Sequence, residues 1–237
     1  NNKSEYAKLS NLLVQGRMSG IVDWNSIEDR NRKPQIPYWV DNIEDAIKDT
    51  IRQYRLDRME NQDVYIEIWV EKDALSGILK RVTEHYHINL MVNRGYSSCT
   101  AVHDASKRII EKQDSKKCYV IYLGDHDPSG VDMIRDIKQR LEEFGAEAEV
   151  LRIALKQEQI KKYKLPPNPA KIKDPRAKAY IKEFGNTSWE LDALNPDTLY
   201  NITKKAVEDL IDTEKFEKVL EQEKEDKEKL ENFGVST

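Results

Sequence analysis

The chain has 237 residues, 35% of them charged and 38% hydrophobic, with a net charge of -4 at pH 7, which suits one substantial core with appendages or two domains. No apolar stretch approaches the roughly 18 residues of a membrane span, and no signal peptide is visible, so a soluble cytoplasmic protein without a membrane partner is expected. Cys99 and Cys118 have no metal-site spacing, which fits a reducing compartment and speaks against a structural disulfide.

The chain starts at Asn1 without a methionine, inside what reads as a helix, and a piece of a longer protein is expected. Tyr6, Leu9, Leu12, Leu13 and Met18 follow helical spacing from Ser4 to Ser19, with Tyr6 as a packing residue and Gly20 as the stop. Ile21 to Trp24 reads as short and extended, and Glu28 to Pro34 as a charged loop that includes Arg30 and Arg32. A second helix is predicted from Ile43 to Met59.

Strands and helices then alternate. Val64–Val70 is strand-like and ends at Glu71, Ala74–Tyr86 is helical, and Asn89–Asn93 is a short strand ending at Arg94-Gly95. Thr100–Lys112 is helical, Cys118–Leu123 is an apolar strand, Val131–Phe144 is helical, and Glu149–Ala154 is a last strand. This order predicts a parallel sheet built from crossovers, in which function gathers at the carboxyl ends of the strands. Asp73 reads as a helix N-cap, Arg94-Gly95 reads equally as a plain strand exit, and Asp132 suits a helix start.

After Leu165 the character changes. Lys164 to Lys171, with Pro166, Pro167 and Pro169, reads as irregular, and Lys161 to Lys182 carries eight basic residues against Asp174 alone. That stretch, with Lys171 and Lys173, is either a DNA track or a solvated loop. Helices resume near Asp197. From Glu208 to Glu231 eleven acids face five lysines, leaving the rest of the chain at +2. This acidic tail reads as a solvated helix, with a dimer contact through its apolar stripe as the alternative. Trp189 reads as a core or domain contact.

The chemistry concentrates in Gly124-Asp125-His126-Asp127-Pro128-Ser129-Gly130. A buried strand ending in two carboxylates spaced i, i+2, then a glycine turn and a helix, is a natural seat for a divalent metal. Alternation puts Asp125 and Asp127 on one side and His126 on the other, with His126 at a turn or in solvent. Oxygen ligands suit Mg²⁺ or Mn²⁺.

Glu71 in Trp69-Val70-Glu71-Lys72-Asp73-Ala74-Leu75, then Gly95, then Asp125-His126-Asp127-Pro128-Ser129-Gly130 together resemble the Toprim domain of topoisomerases, bacterial primases and some nucleases. The resemblance covers about residues 62 to 155 and looks closest to the A subunit of type IIB topoisomerases (topoisomerase VI) and the related meiotic recombination protein. Residues 1–32 are similar to the later part of the winged helix that precedes Toprim in that family. The tyrosine pair that attacks DNA there is not present, since Tyr6 is the only tyrosine before Tyr38. The whole segment from the charged loop through Pro166–Lys171 and Ser188–Leu194 also resembles Toprim proteins encoded by phages and mobile elements.

The resemblance implies a Rossmann-like α/β sheet with flanking helices at 61–160, preceded by part of a winged helix and linker helix at 1–60. A basic loop and helical C-terminal region would follow at 161–237. It implies Mg²⁺-dependent DNA strand cleavage or transfer, with Glu71, Asp125 and Asp127 as metal ligands and catalytic groups. Lys72, Arg94, Arg30, Arg32, Lys171 and Lys173 would touch DNA. Partners implied are DNA, a second copy of the chain and an ATPase subunit, in the nucleoid of a bacterial or phage-infected cell. A hydrolytic Toprim nuclease and a non-cleaving DNA-binding or assembly module are the alternatives.

Overall fold

A computed structural model describes residues 3–27, 34–93, 98–169 and 176–235. The chain forms two units, Asn1–Ile47 and Lys48–Thr237. The first holds α1 (Lys3–Met18), a 3-10 turn at Trp24–Ser26 capped by Asp23, and the start of α2 (Ile43–Gln53). No strand forms among its described residues, so the extended segment expected at Ile21–Trp24 is a bend leading into that turn. Tyr6 is 76% exposed and is not the packing residue its spacing suggested; Leu9, Leu12 and Met18 of the same helix are exposed with it.

The second unit is built on a four-stranded parallel sheet of order β2-β1-β3-β4, with β1 Val64–Val70, β2 Asn89–Val92, β3 Lys117–Leu123 and β4 Glu149–Ala154. β1 and β3 are runs of β-branched and aromatic residues, the composition of strands covered on both faces. One face carries Ile66, Ile68, Val70, Ile121 and Leu123 against Leu79 and Val82 of α3 (Ser76–Tyr86). Leu199 and Val207 of α8 (Pro196–Glu208) and Phe216 of α9 (Thr213–Val235) belong to the same cluster. The other face carries Trp69, Val120 and Tyr122 against α4 (Cys99–Gln113) and α5 (Pro128–Glu143). Between β4 and α8 lie α6 (Gln157–Tyr163), α7 (Ala177–Phe184) and a two-residue antiparallel pair, β5 (Asn168–Pro169) with β6 (Thr187–Ser188). The proline-rich stretch is therefore not wholly irregular.

α2 ends at Gln53, six residues short of the predicted Met59. Tyr54 to Asp57 instead form neither helix nor strand, and α9 holds them: Glu223 accepts from the Leu56 N–H at 3.3 Å, and Asp226 from the Tyr54 hydroxyl at 2.9 Å. The acidic tail is thus not simply a solvated helix. Glu223 is 3% exposed and takes Arg58 Nε at 3.1 Å, Arg58 Nη2 at 2.9 Å and Lys227 at 2.9 Å. Burial alone would raise its pKa, but Arg58 and Lys227 pull it down to about 2. Cys99 is exposed, Cys118 is buried, and both are free thiols. Among the described residues no helix is long and apolar enough to cross a membrane.

Candidate active site

Three strand ends converge at the carboxyl edge of the sheet. The Glu71 N–H extends the β1 ladder to Leu123 O at 3.0 Å, the Asn93 N–H extends β2 to Val70 O at 2.8 Å, and β3 passes through Gly124 to Asp125. The turn after β3 is tight: a Cβ on Gly130 would stand 2.2 Å from Asp125 O, so only glycine fits there. Asp127 is the N-cap of α5, its Oδ1 accepting from Gly130 N at 2.7 Å, with Pro128 at the first helical position.

Arg152 of β4 fastens this turn. Its guanidinium donates to the carbonyls of Asp125 (2.6 Å), Gly130 (2.8 Å), Leu155 (3.2 Å) and Gly124 (3.3 Å), while burial pushes its pKa down. A segment more than sixty residues away closes the other side. His126 and Trp189 exchange backbone hydrogen bonds at 2.8 and 3.0 Å, and Leu191 N donates to Asp125 Oδ1 at 2.7 Å.

His126 does not sit at a turn surface or in solvent as expected. It is buried, with Nδ1 2.8 Å from the Tyr180 hydroxyl and edge contacts to Tyr180, Phe184 and Trp189. Burial, with Arg152 nearby, lowers its pKa, so it is a neutral packing residue. Asp73 is not the helix N-cap expected: it opens a 3-10 turn, Asp73–Leu75, whose N-cap is Lys72, and its carbonyl accepts from the Ser76 hydroxyl at 2.7 Å. Trp189 is the inter-segment contact its setting suggested. Asp132 pairs with Arg135 at 2.8 Å, one turn into α5.

Glu71 and Asp125 come together directly, since the Asp125 N–H donates to Glu71 Oε2 at 3.0 Å, joined there by the Tyr122 hydroxyl at 3.4 Å. Asp125 and Asp127 are each 4% exposed but have different partners. Asp125 Oδ1 faces Leu191 and the Lys72 ammonium at 3.2 Å, and Asp127 caps its helix. Lys72 also reaches Glu190 and, at 3.2 Å, Asp192. Burial works to lower its pKa, but these three acids win and raise it, so Lys72 is a fixed counter-ion within the site. Arg94, Gly95, Arg30, Arg32, Lys171 and Lys173 lie outside the described residues.

Both adjoining acids are shifted toward their neutral form. Burial raises Asp125 to about 7, with the Leu191 N–H and Lys72 opposing and the Glu71 charge adding. Burial also raises Glu71, opposed by the Asp125 N–H and reinforced by the Asp127 charge. Comparison with protein-family models, curated proteins and solved structures gives no match.

Among the described residues no group of three or more His, Cys, Asp or Glu is gathered as a ready-made metal cage. Glu71 takes both its hydrogen bonds on Oε2 and Asp125 takes both partners on Oδ1, so among the described residues Glu71 Oε1 and Asp125 Oδ2 remain open. Two open carboxylate oxygens fit Mg²⁺, which keeps several waters and is held by one or two carboxylates plus substrate phosphates. Arg152, Glu190 and Asp192 are the site residues that sequence reading missed. A lone arginine inside the apolar strand Glu149–Ala154 was the available signal for the first, and the Glu-Leu-Asp spacing was that for the other two.

Proposed function

We propose that this chain is a Toprim-type, Mg²⁺-dependent DNA-processing protein related to the topoisomerase VI A subunit, acting in DNA strand cleavage or transfer. The observation that carries the reading is the pair Glu71 and Asp125. These are two carboxylates from adjacent parallel strand ends, both pushed upward by burial and each with an open oxygen. In this reading the unit Asn1–Ile47 is part of a winged helix, and an ATPase subunit and a second copy of the chain are the partners.

Glu71 and Asp125 would hold the ion. When bound, Mg²⁺ or Mn²⁺ supplies charge stabilisation to phosphate oxygens and to the leaving 3′ oxygen. Lys72 and the Leu191 N–H fix the Asp125 carboxylate, and the Tyr122 hydroxyl fixes Glu71. Asp127 sets the start of α5 and adds negative charge beside Glu71. Glu71, its pKa raised, is suited to accept or donate a proton.

The test is a denaturing gel of protein incubated with DNA and Mg²⁺ or Mn²⁺, run beside Mg²⁺ calorimetry. Covalent protein–DNA adducts support strand transfer, and free nicked product supports a hydrolytic nuclease. Magnesium-dependent DNA retention with neither outcome supports a binding module. Asp125→Asn keeps the shape of the Leu191 contact and is expected to abolish Mg²⁺ binding; unchanged binding and cleavage in that variant would sink the metal site.

A further inference from the structure

The residue that follows β2 is an amide without a side-chain hydrogen-bond partner among the described residues. Asn93 is 8% exposed, and among the described residues neither its Nδ2 nor its Oδ1 has a hydrogen-bond partner. Buried side-chain polar atoms are paired in the large majority of cases, and leaving one unpaired forfeits its hydration without return. Its position is nevertheless fixed, since its own N–H donates to Val70 O at 2.8 Å. The ladder that pairs Val92 with Val70 therefore sets Asn93 beside Glu71.

Alternation gives Asn93 and Glu71 the face of Met91 and Trp69, which α4 and α5 cover. Both helices begin at this carboxyl edge, capped by Ser98 and Asp127, and helix starts favour anions. The strand register thus sets Asn93 next to Glu71 at the sheet edge where α4 and α5 also begin, so a carboxylate that attracts a cation and helix starts that favour an anion share this edge with the unpaired amide. A bare cation would satisfy only its oxygen, and a bare anion only its NH₂. A hydrated cation carrying a phosphate satisfies both, with Oδ1 accepting from a metal-bound water and Nδ2 donating to a phosphate oxygen.

We infer that Asn93 is a phosphate-binding residue of this site, holding a non-bridging oxygen of a phosphodiester beside the cation that Glu71 and Asp125 attract. The inference rests on the proposed function, and its test separates the two. The full chain is compared with Asn93→Leu by thermal melting and by fluorescence anisotropy with a labelled DNA duplex, in Mg²⁺ and in EDTA. An apolar side chain of similar shape leaves no amide to desolvate. The free variant is therefore expected to melt at or above the wild-type temperature, while its Mg²⁺-dependent gain in DNA affinity falls by about tenfold or more.

A variant that melts well below wild type, or that keeps the whole Mg²⁺-dependent gain, overturns the assignment. A third measurement adds Mg²⁺ with inorganic pyrophosphate and reads the melting temperature. If the wild type is stabilised by that pair and Asn93→Leu is not, with no Mg²⁺-dependent DNA binding in either, the phosphate site stands and the DNA reading falls. No response of the wild type to either ligand overturns both.

Discussion

Glu67 within β1 and Glu71 just past its end lie four residues apart on the same side of the chain, and the chain treats them in opposite ways. Glu67 is fully buried in mid-strand with both oxygens filled. Oε1 takes the Tyr65 hydroxyl and Arg108 Nε, each at 2.7 Å, and Oε2 takes Trp69 Nε1 at 2.8 Å and Arg108 Nη2 at 3.1 Å. Glu71, at the strand end, accepts among the described residues only on Oε2, from donors that carry no charge. Its nearest lysine is turned to Asp125, Glu190 and Asp192. A buried acid matched by a cation and two ring donors holds the fold, whereas one left under-matched at a strand end is kept available for something from outside.

The largest expected effect follows from the filled site. Glu67→Ala leaves the Trp69 N–H, the Tyr65 hydroxyl and Arg108 without their acceptor and is expected to cost about 3–5 kcal/mol in urea unfolding. A loss under about 1 kcal/mol would erase the distinction between the two glutamates.

Asp125 sharpens the distinction through pH. Its folded pKa, about 7, lies above the ordinary carboxylate value, so the native state binds the proton more tightly than the unfolded chain. The stability contributed is whole below about pH 4 and is lost as pH rises through 7. Without Mg²⁺, unfolding at pH 8 is expected to show about 1–3 kcal/mol less contribution from this residue than at pH 5. Asp125→Asn should flatten that slope, and excess Mg²⁺ should recover stability at pH 8 in the wild type only. An identical pH slope in the variant would show that Asp125 does not titrate in this window.

The smallest effect is at Glu71. Glu71→Gln removes a charge that burial already disfavours and keeps an acceptor for the Asp125 N–H. Free-protein stability is expected to move by less than about 1 kcal/mol, against a loss of about 10²-fold in Mg²⁺-dependent DNA affinity or cleavage. Were both glutamates to cost the same in urea, the comparison would fail.

Much of this was legible in the sequence, and the reason is locality. β1, β3 and β4 announced themselves as apolar runs, and Glu71, Asp125 and Asp127 could be placed because each follows such a run. The rest depends on partners that no periodicity encodes. Arg152 acts through four backbone carbonyls, so its targets leave no trace in side-chain pattern. The end of α2 was misplaced because the acceptor of the Leu56 N–H lies 167 residues further on, at Glu223. His126 looked like a turn residue until Tyr180, Phe184 and Trp189 arrived from another segment.

The backbone exchange between His126 and Trp189 also has a bearing on where this protein can be cut. A fragment ending near residue 160 would retain every strand of the parallel sheet and all three carboxylates. It would lose the Leu191 amide that orients Asp125 and the Glu190 and Asp192 charges that restrain Lys72. Lys72 would then be left with Asp125 alone, a closed ion pair where the intact chain shares one ammonium among three acids. The minimal excisable module is therefore larger than its sheet, and the segment from Trp189 to Asp192 is part of the site's frame.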